Sequence, residues 1–237
     1  MSSPGLFNSS PAQSDDEHWI SVSDLMAGLM VIFLFIAISY MKDIVVEKER
    51  IEKIAVTWNE TQEALYVDLE QEFENDLPKW GAEFNRETLA IRFIEPSILF
   101  DTAQSSLKNE FKAILDDFFP RYISVLRKYK NDIAEIRIEG HTSSKWGEKT
   151  NGTNAYFKNM KLSQNRTRSV LYHCLSIPKI TDDQDWARTT ITANGLSSSK
   201  PIFNDDGTEN AALSRRVEFR VRTNAERRIV DILQVQK

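Results

Sequence analysis

Hydrophobic and polar positions along this chain fall into distinct regimes. The first is an unbroken apolar run. From His18 to Met41 the only charged side chain is Asp24, and Leu25–Tyr40 (LMAGLMVIFLFIAISY) carries no charge at all. With Ile20–Val22 in front, the run reaches the roughly 20 residues an α-helix needs to cross a hydrocarbon core. The second regime runs from Lys42 to about Asn75, without Pro or Gly and rich in Glu, Lys, Ile, Ala and Leu, which predicts a long helix. Ile44, Ile51, Trp58 and Leu65 recur at a spacing of seven. The column three residues on (Glu47, Ile54, Thr61, Asp68) is poor, so the pattern supplies half of a coiled-coil seam. The alternative is a single amphipathic helix docked on the next domain through Leu69, Phe73 and Leu77. Pro78 and Gly81 then punctuate the chain.

Beyond residue 81 the pattern switches repeatedly between strand and helix periods. Leu89–Ile94 alternates like a half-buried strand, and after the break at Glu95-Pro96-Ser97 a short second strand is expected at Ile98–Phe100. Ser106–Lys128 shows helical spacing of Leu107, Phe111, Ile114, Leu115 and Phe118, with Pro120 predicting a kink or a split. Ile133–Gly140 reads as a strand, His141 to about Phe157 as a polar loop, and Asn159–Leu175 as a helix. Strands follow at Thr189–Ala193 and Arg216–Arg222, with a short helix over 224–235. Interleaved strands and helices of this kind predict an α+β domain, a two-layer α/β sandwich.

Composition narrows the function classes. Apolar residues make up 41% of the chain, enough for a folded core. Acidic residues number 35 against 30 basic, a net charge of −5, which speaks against direct nucleic-acid binding. A single cysteine, Cys174, excludes an intrachain disulfide and a multi-cysteine zinc site. His18, His141 and His173 are too scattered for a histidine-rich metal centre, so no metal and no cofactor is expected. No nucleophile–base pair, phosphate loop or ligand set suggests an enzyme. A secretory signal peptide would need a basic start and a small-residue cleavage site. Here Asp15, Asp16 and Glu17 precede the apolar run and Lys42, Asp43, Ile44 and Val45 follow it. An uncleaved membrane anchor is the better reading, preceded by a flexible Ser- and Pro-rich tail over residues 1–17.

Asp24 is the most informative single residue. A carboxylate at a membrane centre costs about 2.5–3.5 kcal/mol on insertion scales unless it is protonated, paired or hydrated. One reading is a capping box, with Ser21 as N-cap and Asp24 at N3. The other is a carrier of protons or cations, loaded from one aqueous phase and unloaded to the other. Lys42, Lys48 and Arg50 follow the span, and by charge alone they would hold the C-terminus inside the cell.

Ser23-Asp24-Leu25-Met26-Ala27-Gly28, followed by the Phe-bearing run Val31–Phe35, resembles the membrane helix of MotB-type stator subunits. Five further elements resemble OmpA-like domains in the right order. They are Ile98-Leu99-Phe100-Asp101; Ile136–Thr142, ending in Gly-His-Thr; Asn159-x-x-Leu162-Ser163-x-x-Arg166; Gly195-Leu196 with Lys200-Pro201; and Ser214-Arg215-Arg216-Val217-Glu218. The looser Gly140-His141-Thr142-Ser143-Ser144 loop and the lipophilic helix look closer to the B-type stator subunits of Zorya anti-phage defence systems.

The resemblance implies a layout. Residues 1–17 form a cytoplasmic tail, 18–41 the inner-membrane span, 42–80 a helical neck and 81–237 a periplasmic OmpA-like domain that binds peptidoglycan. It implies that Asp24 carries protons or sodium ions, and that two copies sit inside a pentamer of MotA-like membrane subunits, the ZorA type in Zorya systems. Cytoplasmic nuclease effectors would be reached only indirectly. The wall-binding residues it implies are Thr142, Ser143, Asn159, Leu162, Arg166, Arg215 and Arg216. Peptidoglycan binding places the C-terminus in the periplasm, against the charge rule. A flagellar-type stator and a passive envelope-to-wall tether are the competing readings.

The chemistry of such a site is simple. A diaminopimelate carboxylate wants a fixed cation, and Arg166 offers a bidentate fork. The family places an Asp after Gly-His-Thr for the ligand amine, and this chain has Ser143 there. A serine hydrogen-bonds but cannot neutralise an ammonium. Either a nearby acid such as Glu148 compensates, or binding is weakened or altered. Arg215 and Arg216 could equally be strand arginines paired within the fold, and Asn159 could be a cap.

Overall fold

The computed structural model describes residues 14–94, 96–147 and 152–224. Residues 1–13 of the expected tail, Glu148, and the expected C-terminal helix beyond Asn224 lie outside the described residues. The chain divides into two units, Met1–Lys53 and Ile54–Lys237.

Helix α1 (Ser14–Phe73) supplies all that is described of the first unit. Its Val22–Glu52 portion contains a stretch of mean hydropathy 2.3, long and apolar enough to cross a membrane, with none of it buried. Leu25, Met30, Phe33 and Phe35 are all more than 60% exposed, so apolar surface points in every direction from this helix. Because α1 starts at Ser14, Ser21 lies inside the helix and not at its N-terminus. Asp24 is therefore not at N3, and the capping-box alternative loses its geometry.

In the second unit the last turns of α1 are part of the core. Leu65, Leu69 and Phe73 are fully buried at i, i+4 and i+8, continued by Leu77 in a 3₁₀ turn (Leu77–Trp80). The docked-helix alternative thus describes residues 65–77. Arg121 fixes this packing: its Nε donates to Glu72 at 2.6 Å, Nη1 to Asp76 at 3.0 Å, and the guanidinium lies 5.0 Å from the Phe73 ring centroid.

A five-stranded sheet is built from β1 (Ala82–Asn85), β2 (Ala90–Phe93), β3 (Ile133–Gly140), β4 (Ile191–Gly195) and β5 (Val217–Thr223), in the order β1-β2-β5-β3-β4. All pairings are antiparallel except β3 with β4. A parallel pair needs a long crossover, and α4 (Gly152–Leu175) is its longest element. Between β2 and β3 run α2 (Pro96–Leu99) and α3 (Asn109–Arg127). Before and after β4 come α5 (Gln184–Thr190) and α6 (Ala211–Ser214).

The period-2 alternation gives the sheet two unlike faces. Ile91, Phe93, Ile136, Ile138 and Phe219 meet the helices, where the Phe93, Phe118 and Phe219 rings pack with centroids 5.1–5.9 Å apart. Arg92, Arg137, Glu139, Glu218 and Arg220 occupy the intervening strand positions and carry the charge.

Several expected elements fall differently. Ile98–Phe100 is no strand: Pro96 suits the first turn of α2, and Phe100 keeps only an isolated bridge to Leu107. Pro120 does not split α3, because Phe118, Phe119, Tyr122 and Ile123 bury the helix on both sides of the missing N–H. Thr189 lies in the last turn of α5 instead of opening β4, its hydroxyl donating to the Asp185 carbonyl at 3.1 Å.

Candidate functional site

On α4, Asn159, Leu162, Ser163 and Arg166 follow the i, i+3, i+4, i+7 spacing of one helix face. That face lies close to the ends of β3 and β4, because Gly140 and Gly195 pair there. A Cβ on Gly140 would come within 2.6 Å of Thr167 Cγ2, and one on Gly195 within 2.6 Å of Gln164 Cα. The loop leaving β3 is tied down by its main chain. His141 N donates to Arg216 O and Thr142 N to Ser197 O, both at 2.9 Å. Asn159 Nδ2 donates to Ser143 O at 3.0 Å and to Lys145 O at 3.5 Å, so Asn159 fastens the loop to α4 and is not a helix cap.

These contacts bring every expected wall-binding residue to one open cleft of about 800 Å³. Thr142 and Ser143 come from the β3 loop, Asn159, Leu162 and Arg166 from α4, and Arg215 and Arg216 from the entry to β5. Phe100, Asp101 and Lys108 from the α2–α3 connection complete the lining with Lys145 and Trp146. Sequence reasoning did not single out Lys108, Lys145 or Trp146. They lie in irregular segments, where no periodicity reports which way a side chain points.

Arg166 sets the electrostatics. Its Nε donates to Gln104 O at 2.9 Å and Nη2 to Asp101 O at 3.2 Å, and its guanidinium lies 4.6 Å from the Phe100 ring centroid. All its partners are neutral. Burial, and then the charge of Arg215, push the Arg166 pKa down to about 10, so it stays a cation at neutral pH. Arg215 is exposed. Among the described residues neither arginine has a carboxylate within ion-pair distance. The lining acid Asp101 is held by Lys108 Nζ at 3.2 Å. The cleft is therefore a seat for an anion, with a planar fork at its base. Arg216 differs: it is 5% exposed, and its Nε donates to Glu218 at 2.6 Å. Its charge is already spent inside the fold. Asp24 belongs to the other unit, exposed on α1.

Residues 99–215 match the model of the OmpA family. Over 220 residues, 93% of this chain and 94% of its counterpart, the sequence is 49% identical to Zorya protein ZorB of Escherichia coli (strain Crooks). The chain belongs to the ZorB family. Among solved structures it is similar to a putative MotB like protein from Desulfovibrio vulgaris, at 24% identity and TM-score 0.48, covering 70% of this chain and 93% of that one. It is also similar to the periplasmic domain of Helicobacter pylori MotB, at 20% identity and TM-score 0.41, covering 65% and 90%.

Behind the cleft, this ZorB-family chain carries a buried charge network. Glu139 and Glu218 stand directly opposite on β3 and β5. Two like charges at that spacing repel. Arg216 and Arg92 reach Glu218 Oε1 at 2.6 and 3.2 Å, and Arg220 reaches Glu218 Oε2 at 3.1 Å and Glu139 Oε2 at 3.6 Å. His141 Nε2 lies 3.8 Å from each carboxylate. Glu139, His141 and Glu218 offer ligand atoms within 4.8 Å of one another. A dication there would have to compete with three guanidinium groups, so the arrangement suits charge balance better than metal binding. Burial raises both carboxyl pKa values, but His141 and Arg220 at Glu139, and Arg216 at Glu218, outweigh it and hold both groups below the usual range. Burial lowers His141, which stays neutral.

Proposed function

We propose that this chain is the wall-anchored B-type subunit of an ion-driven inner-membrane motor acting in Zorya-type anti-phage defence. The observation that carries the reading is the convergence of the expected wall-binding residues on one cleft, with Arg166 free of any acidic partner among the described residues. The ZorB relationship supports the defence setting, and the exposed apolar helix supports a single span.

In this reading the N-terminus is cytoplasmic and the Ile54–Lys237 unit periplasmic. Arg166 and Arg215 take a carboxylate of a peptidoglycan stem peptide, while Asn159 holds the Thr142–Ser143 loop against it. Asp24 takes a proton (or sodium ion) from the periplasmic side and releases it towards the cytoplasm. One charge crossing 100 mV releases about 2.3 kcal/mol. The partners are a second copy of this chain and five MotA-like subunits of the ZorA type. The wall contact holds the pair still while the ring steps around it, and cytoplasmic effectors are reached through that ring.

The test is phage protection by the complete system carrying Asp24→Asn, with assembly followed by co-purification of the ring. The substitution keeps size and hydrogen bonding and removes the titratable charge. Loss of protection in an assembled complex is the expected result. Full protection would sink the ion-driven reading and leave a passive wall tether.

A further inference from the structure

An anion seat explains one half of a stem-peptide terminus, because diaminopimelate carries an ammonium beside its carboxylate. An ammonium needs an acid that is not already neutralised. Among the described residues few are available, and Glu148 lies outside them. Asp101 lines the cleft but is held by Lys108. Glu139 and Glu218 are buried among arginines. Position 143, next to the loop's threonine, is a serine.

Glu209 remains. It lies on the segment between β4 and α6, where Phe203 and Glu209 form an isolated bridge. Asn204 N donates to Thr208 O and Asn210 N to Ile202 O, both at 2.8 Å, so the segment folds back on itself. Its carboxylate reaches the β3 loop at Ser144, whose N–H donates to Oε1 at 2.9 Å and Oε2 at 3.3 Å. The Ser144 hydroxyl donates to Oε2 as well. Ser144 stands between the lining residues Ser143 and Lys145, and Ala211, two residues past Glu209, also lines the cleft. The carboxylate is therefore held by neutral donors beside the lining segment Ser143–Lys145. Among the described residues no cation lies within ion-pair distance of it. A carboxylate has about four lone-pair sites, and Ser144 does not fill them.

We propose that Glu209 is the specificity-determining acid of the cleft, receiving the ligand ammonium that Ser143 cannot neutralise. The acid comes from the β4–α6 segment and not from the β3 loop, and Ser144 aims it. This rests on the peptidoglycan reading above and names which ligand the site selects: a stem peptide whose diaminopimelate amine is free.

The test uses the full chain in detergent and two probes. One is a soluble disaccharide-tripeptide ending in meso-diaminopimelate. The other is the same compound with its side-chain amine acetylated. The wild-type chain should bind the free amine at least roughly tenfold more tightly, as for a charge-assisted hydrogen bond. Glu209→Gln keeps an acceptor for Ser144 and should bind both probes alike, at the acetylated compound's affinity. Adding Ser143→Asp to Glu209→Gln should restore the preference, which separates lost charge from a disturbed loop. A Glu209→Gln chain that keeps the wild-type ratio overturns the inference, as does a wild-type chain that does not discriminate. Binding of neither probe by the wild type, or unchanged binding by Arg166→Ala, overturns the peptidoglycan reading itself.

Discussion

Arg166 rests its guanidinium over the ring of Phe100, 4.6 Å from the centroid, and donates only to the main-chain carbonyls of Asp101 and Gln104. A cation held this way is positioned without being neutralised. Its removal should cost the fold modestly, because a half-buried cation–π contact contributes about 0.5–2 kcal/mol. Binding should suffer far more. Arg166→Ala is expected to lose co-sedimentation with purified peptidoglycan sacculi by tenfold or more while its denaturation midpoint falls only slightly. Arg166→Lys keeps the charge without the planar fork and should recover only part of the binding. A large drop in stability with binding retained would assign Arg166 to the fold.

The neighbours Arg215 and Arg216 should separate in the opposite senses. Arg215 is exposed and adds its charge to the cleft, so Arg215→Ala should weaken sacculus binding and leave stability unchanged. Arg216 is buried and paired with Glu218 at 2.6 Å. Breaking a buried pair from one side costs about 3–5 kcal/mol, because the remaining charge is stranded. Arg216→Ala should therefore show first as a lower Tm and poorer expression. Equal and purely functional defects in the two variants would contradict this division.

Their different fates show where the sequence was legible. The residues of the α4 face could be placed together because a helix repeats, and Asn159, Leu162 and Arg166 keep that repeat. Arg215 and Arg216 could not be told apart, since strand alternation says which residues share a face and not which face is covered. The helical neck was half readable. A spacing of seven through Ile44, Ile51, Trp58 and Leu65 suggested a pairing seam, whereas Leu65, Leu69 and Phe73 at i, i+4 and i+8 mark the turns that are buried in the domain. Ile98–Phe100 reads as a strand by composition, and only its tertiary setting makes it a helical turn. Glu209 was invisible, because its partner Ser144 is 65 residues away and loops carry no period.

The Glu139–Glu218 pair predicts a pH dependence. The charged and titratable groups acting on it include Arg92, Arg137, Lys200, Arg216, Arg220 and His141. His141 is held below its usual value of 6.5, chiefly by burial, so the unfolded chain binds the proton more readily than the folded one. Stability that is full above about 6.5 should fall as the pH drops below it. Glu139 and Glu218 are both held below their usual 4.5, so their contribution is present above that value and lost on further acidification. Melting of the Ile54–Lys237 unit in the full chain should therefore move to lower temperature from pH 7 to 5, and again below pH 4.5. His141→Gln should flatten the first interval and leave the second. A Tm that is level between pH 7 and 5 in the wild type would show that His141 titrates as it does in water.

The last prediction concerns spacing more than charge. Gly195 faces Gly140 at the ends of β4 and β3, and a side chain at position 195 would drive its Cβ to within 2.6 Å of Gln164 Cα. The obstacle is main chain, so no side-chain rotation relieves it. Helix α4 would have to lift from the sheet, and overpacking of this kind costs about 1–3 kcal/mol. The same shift would move Asn159 and Arg166, which sit on either side of Gln164 along α4. Gly195→Ala should thus lower Tm by several degrees and weaken sacculus binding together. At Gly140 the nearest atom is a side-chain methyl, Thr167 Cγ2, with Ser163 O at 3.0 Å. Gly140→Ala paired with Thr167→Ser should be tolerated better than Gly140→Ala alone. If Gly195→Ala melts and binds like the wild type, close helix–sheet approach is not what sets the arginine in its seat.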